Sequence, residues 1–228
     1  MDYGKHDLSP FQNLLIAYAA GDQKPLHRLI FGLDNRMADI MRSTSEMILG
    51  QMRLTWWRDI LNEDIEKAPQ GEPLIAQLRT LDHAIDYDVI IQIIDGWELL
   101  LQDMPWGDDH VLSYSKSRGF GVVNSLWPEF DGQNPDHRNF ALAWALWDLA
   151  RQDLNADISA QAFALCCEVM TDGPGIKDRT GISFKRQSRP LSILYKLMLY
   201  DIKNRKLSRN IYRPMTAARI MWHGMSGL

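Results

Sequence analysis

Carboxylates come first, because 29 Asp and Glu side chains are spread along the 228 residues. A hard cation such as Mg²⁺ wants several carboxylate oxygens, and residues four apart share one helix face. Asp153 and Asp157 have that spacing. Asp39 has a cation, Arg42, three residues further on and on the same helix face. Asp34 lies five residues before Asp39 and points about 140° away from it on a helix. Ala38, which shares the face of Asp34, can bind nothing. Asp157 also has a plainer reading, as the cap of a helix that begins at Ile158.

Aromatic and cationic residues supply a second group of candidates. Trp144, Trp147 and Arg151 recur at spacings of three and four, so they share a face. Rings on such a face either fill a core or stabilise a positive charge. Asp148, beside Trp147 and four residues after Trp144, is a candidate buried acid. Trp56 and Trp57 differ by about 100° around a helix, so one fills the core and the other is left for a cavity or an interface. Arg53 and Arg58 flank that pair and could hold an anionic group. The alternative for Arg58 is a surface pair with Asp59.

Other chemistries find little footing. The six His are scattered, with no pair at metal-ligand spacing. Cys166 and Cys167 are adjacent, CxxC and HExxH are absent, and two small buried side chains in a reducing compartment are expected. Gly119-Phe120-Gly121 lacks the third glycine and the preceding strand of a phosphate loop.

Helices must position these groups. Ser9-Pro10 with Gln12 reads as a helix start, with Gly21 as its stop. The next helix starts at Pro25. A third runs from about Glu46 through Lys67, with Ile48, Met52, Trp56 and Ile60 on one row. Further helices are predicted over 73–84, 87–103, 109–127, 136–152, 158–171, 188–206 and 214–225, and residues 172–188 read as irregular. No run alternates as a strand would. One all-α domain over 1–228 is expected, with eight Trp filling helix interfaces or a pocket. No apolar run reaches the roughly 18–20 residues of a membrane span, and the N-terminus lacks a signal composition.

Charge is uneven. Residues 177–228 carry 12 Lys and Arg against 2 acidic residues, whereas residues 1–176 carry 13 basic and 27 acidic. The basic quarter either pairs with the acidic remainder or meets an anionic partner. Aromatics interleave little there beyond Tyr195, Tyr200 and Tyr212, so nucleic acid is not expected.

The segment Met47 to Asp59 contains Arg53-Leu54-Thr55-Trp56-Trp57-Arg58-Asp59. It resembles the RLxWWRD stretch of bacterial squalene/phytoene synthase-like proteins. The preceding block, Leu26–Arg42, sits where that family has its first Asp-rich helix, and weaker matches follow in order: Asp86–Asp103, Leu112–Val123 with Tyr114 and Gly119, Phe140–Arg151, Ser188–Leu191 and Met221–Met225. The resemblance implies an isoprenoid-synthase-like helical bundle with a central apolar cavity. In active members two Asp-rich helices grip Mg²⁺, which grips a prenyl diphosphate. Carried onto this chain, the first Asp-rich helix keeps Asp39, and the second keeps Asp153 and Asp157 after a one-residue slip.

Arg53, Trp56, Arg58, Tyr114, Trp144, Trp147 and Arg151 are the cavity or ligand-binding candidates. The expectation is a non-catalytic member without a cofactor, similar to the branch that assembles respiratory complex I. Its partners would be a respiratory-complex protein, an isoprenoid or lipid ligand, and an anionic membrane surface met by the basic 185–213 region. It would be cytoplasmic, peripheral at the inner membrane. The alternative is a Mg²⁺-dependent head-to-head prenyl transferase using Asp39, Asp153 and Asp157.

Overall fold

The computed structural model describes residues 8–44, 46–63, 65–152, 154–171, 182, 184–208, 220 and 222. Among them the regular structure is entirely helical. Of the predicted 214–225 helix only Ile220 and Trp222 are described, both helical, and most of the irregular 172–188 stretch lies outside the described residues.

Sequence signals set the helix starts. Ser9 Oγ accepts from Gln12 N at 3.2 Å, and Gln12 Oε1 accepts from Ser9 N at 2.8 Å. This reciprocal box opens α1 (Pro10–Ala17). Proline, whose missing N–H costs nothing in a first turn, also opens α2 (Lys24–Ser43), α4 (Pro73–Leu81), α7 (Pro135–Arg151) and α9 (Arg189–Asn204). The remaining helices are α3 (Met47–Asn62), α5 (Tyr87–Leu99), α6 (Asp108–Leu126) and α8 (Ala156–Thr171). The long third helix predicted through Lys67 stops at Asn62, and residues 65–67 form a separate 3₁₀ turn. Asp157 does not cap α8. Asn155 Oδ1 accepts from Ile158 N at 2.7 Å and takes that role, while Asp157 is exposed in the first turn.

The layering centres on α6. It packs against α5 on one side and α7 on the other; α8 covers α7, and α2 crosses α4, α5 and α6. Helix α6 is buried on several faces, through Val111, Tyr114, Arg118, Val122 and Val123, as befits a core helix rather than an amphipathic surface one. Helix α3 lies outside, against α2 and α5. Its Leu54, Trp57 and Leu61 face inward. The row Ile48, Met52, Trp56 faces outward, 69%, 64% and 41% exposed, and only Ile60 of that row is buried.

His27 on α2 is fully buried. Its Nδ1 meets Gln23 O at 2.9 Å, and its Nε2 has no partner. Burial pushes the imidazole below its ordinary pKa, more than the Gln23 bond raises it. The folded chain therefore keeps His27 neutral, while the unfolded chain takes up a proton below about pH 6.5. Stability from this group is present above that pH and is lost on acidification, by at most roughly 1.4 kcal/mol per pH unit. Urea midpoints should fall between pH 7.5 and 5.5, and fall less in His27→Gln. A residual slope is expected from His137, whose pKa burial also lowers. An equal fall in the variant would place the acid sensitivity elsewhere.

Candidate functional site

An arginine sits at the meeting of α2, α5, α6 and α7. Arg118, on α6, has a side chain only 2% exposed. Its Nε donates to Asp34 Oδ1 at 2.7 Å and its Nη2 to Asp34 Oδ2 at 2.6 Å, a bidentate grip on α2. Nη2 also donates to Asp148 Oδ2 on α7 at 2.6 Å, and Nη1 to the Tyr114 hydroxyl at 2.8 Å. Trp97 Nε1, from α5, donates to Asp34 Oδ1 at 2.7 Å. The guanidinium lies 4.7 Å from the Trp97 ring centroid and 4.9 Å from that of Trp144, within cation–π range.

The electrostatics follow from this geometry. Burial opposes the charge on Arg118, but Asp34 above all, then Tyr114 and Asp148, hold its pKa well above the ordinary value. Burial pushes the Asp148 carboxyl up, and the Arg118 and Arg151 charges outweigh it, so its pKa ends below the usual carboxylate value. Burial raises the Tyr114 hydroxyl, which stays protonated. The site is thus a fixed cation gripped by two carboxylates. It can hold charge in place, but its donors and acceptors are already engaged with one another.

Beside it opens a cleft of about 300 Å³, lined by Asp34, Asp39, Arg42, Arg118, Trp144 and Asp148 among others. At this meeting point Trp97, Tyr114, Trp144 and Arg118 fill the interior, and the described lining of the cleft beside them mixes charged and amide groups with Phe11, Leu15, Phe31 and Leu194.

The sequence-predicted residues distribute unevenly around this point. Asp39 is paired with Arg42 at 2.7 Å, and Arg42 also donates to Gln152 Oε1 at 3.2 Å. Asp157 is exposed on α8, and Asp153 lies outside the described residues. Trp144 lies against Arg118. Trp147 turns its Nε1 to Asp201 Oδ2 at 2.9 Å, while Arg151 lies over the Trp147 and Phe11 rings at 4.2 and 5.3 Å. Arg58 does not pair with Asp59. It bridges to Asp95 at 2.6 Å and Glu98 at 2.7 Å, clamping α3 to α5. Tyr114 belongs to the site, and so does Asp148, although it is half-buried rather than the buried acid its spacing suggested.

Arg118 was not legible as a site residue, although its position four after Tyr114 on a helix was a usable signal. The described residues, which do not include Asp153, do not fit a Mg²⁺ site. Asp34, Asp39 and Asp148 each face a guanidinium, and among the described residues no three His, Cys, Asp or Glu converge to hold a metal.

A second concavity, about 820 Å³, lies between α2 and α3 and collects Arg36, Asp39, Ile40, Arg42, Met52, Arg53, Trp56, Trp57 and Glu72. It is where Arg53 and Trp56 come together. Trp57 is buried behind Trp56, the two rings edge to face at 5.2 Å, so the sequence's division of the pair between core and surface holds. No family model matches the chain, and neither does any curated protein or any solved structure.

Proposed function

We propose that this chain is a non-catalytic protein of the squalene/phytoene synthase type, acting by binding, as an assembly or lipid-binding factor for a respiratory membrane complex. One observation carries the non-catalytic part: Arg118 stands between Asp34 of α2 and Asp148 of α7. In the enzymes the sequence resembles, carboxylates on the two corresponding helices hold Mg²⁺, and the ions draw off a diphosphate. Here a guanidinium fixed to the backbone takes up those charges. It cannot be exchanged, and a diphosphate meeting the site would meet carboxylates rather than metal.

The respiratory partner rests on the resemblance. Support for a peripheral position comes from Lys203, Arg205 and Lys206, which are exposed together at the end of α9 and suit an anionic membrane surface. No described helix is long and apolar enough to cross a membrane.

The test is direct. Purified chain incubated with Mg²⁺ and farnesyl or geranylgeranyl diphosphate should release no pyrophosphate. Release that disappears in Asp39→Ala or Asp153→Ala would overturn the reading. Affinity capture from cells should recover respiratory-chain subunits, and their absence would count against the assembly role.

A further inference from the structure

The α2–α3 cleft is distinct in chemistry from the buried arginine site. Its volume of about 820 Å³ lies within the range of small-molecule sites, roughly 300–1,000 Å³. One wall is apolar: Ile40, Met52, Trp56 and Trp57. Met52 and Trp56 are 64% and 41% exposed, large apolar side chains left facing water in a concave place. Covering them would release that water.

Most of the rest of the lining is charged and comes from both helices and Glu72. Arg36, Arg42 and Arg53 face Asp39 and Glu72. Arg36 is engaged by Glu72 at 2.8 Å and Arg42 by Asp39 at 2.7 Å. Arg53 is exposed and has no ion-pair partner among the described residues. Arg36 Nε is buried with no hydrogen-bond partner, a donor left unmet where most are satisfied. Among the described residues the lining therefore carries one positive charge in excess beside its apolar side chains.

We infer that this cleft binds a single-chain amphiphile with a monoanionic head, a long-chain carboxylate, the chain lying along Met52 and Trp56 and the head at Arg53. A guanidinium fork matches the two oxygens of a carboxylate. One surplus charge suits one negative charge, whereas a diphosphate would call for more cations. The inference deepens the lipid-binding half of the proposed function and does not depend on the absence of turnover: pyrophosphate release tests one, chain binding the other.

Calorimetric titration of the full chain, below micelle-forming concentrations, tests it with four probes: tetradecanoate, decanoate, tetradecyltrimethylammonium, and phosphatidylglycerol vesicles. Tetradecanoate should bind, and decanoate at least tenfold more weakly, since each buried methylene contributes roughly fourfold. The ammonium of equal chain length should also bind at least tenfold more weakly. Arg53→Glu should weaken tetradecanoate by tenfold or more. Arg28→Glu, exposed on α2 and absent from the cleft lining, should leave it unchanged. Arg53 is exposed, so its variant should keep the wild-type urea midpoint. Equal affinity for anion and cation, or an unchanged affinity in Arg53→Glu, would overturn the inference. So would binding to vesicles without binding to free tetradecanoate, which would instead make this face a membrane contact.

Discussion

Replacing Arg118 with methionine is expected to destabilise the chain by about 3–5 kcal/mol, the usual cost of removing one partner from a buried ion network. Methionine roughly fills the space but leaves Asp34, whose side chain is 4% exposed, without its counter-charge. Asp34 would retain only the Trp97 indole N–H among its named donors, and Tyr114 would lose the donor to its hydroxyl. Asp148, 29% exposed, can turn partly to water and should suffer less. Arg118→Lys keeps the charge but not the fork. One ammonium cannot reach both oxygens of Asp34 together with Asp148 and Tyr114, so an intermediate loss is expected.

The informative comparison is the triple variant Asp34→Leu/Arg118→Met/Asp148→Leu. Removing all three charges removes their desolvation cost as well, so it should be more stable than Arg118→Met alone. Recovery should be incomplete, because the Trp97 indole N–H would then lack its acceptor and the Tyr114 hydroxyl its donor, at roughly 1–3 kcal/mol each. Urea unfolding gives all three values. A midpoint for Arg118→Met within about 1 kcal/mol of wild type would show that water or a neighbour replaces the guanidinium, and the fixed-cation argument would fail with it.

The same network has an acid signature separate from that of His27. Asp148 has a folded pKa below its ordinary value. Its contribution is therefore present above the unfolded carboxylate range, about pH 3.9, and is lost as pH falls through the lower folded value. His27 acts in a higher window, below about pH 6.5. A wild-type stability profile should show both declines, and Arg118→Met should diminish the lower one while leaving the upper in place.

How far the sequence reached can be judged from these residues. Helix starts were legible because they depend on local chemistry, such as Ser9 with Gln12 or proline in a first turn. Asp148 was legible from its spacing to Trp144, and the split between Trp56 and Trp57 from helix geometry alone. Arg118 was not, because its partners lie 84 and 30 residues away, and nothing local marks an arginine as buried. Asp34 was set aside for a related reason. It was weighed against its helix neighbours Ala38 and Asp39, whereas its partners come from α5 and α6. Arg58 repeats the pattern, passing over adjacent Asp59 for carboxylates on α5. Local periodicity says which face a residue is on, but not which helix will cover that face.

The crossing of α6 and α7 gives the second large effect. Gly119→Ala should destabilise the chain by about 3 kcal/mol or more, at or beyond the upper end of ordinary overpacking. A Cβ at Gly119 would collide with the carbonyl oxygen of Ala141 and lie 2.7 Å from its carbonyl carbon. Those are backbone atoms of α7, which cannot swing aside as a side-chain tip can, so the helices must separate. Separation would loosen the Arg118 site as well, because Arg118 precedes Gly119 on α6, while Trp144 and Asp148 sit on α7. Gly32→Ala is the control. The Cβ there meets only Leu74 Cδ2, at 2.8 Å, the far end of a flexible side chain. With glycine about 1 kcal/mol poorer than alanine inside a helix, Gly32→Ala should be close to neutral. Urea midpoints and near-ultraviolet circular dichroism distinguish the two, with a weakened aromatic signal only in Gly119→Ala. If Gly119→Ala were as mild as Gly32→Ala, α6 and α7 would not be in backbone contact, and the close approach that holds Arg118 against Asp148 would have to be maintained by the ion pairs alone.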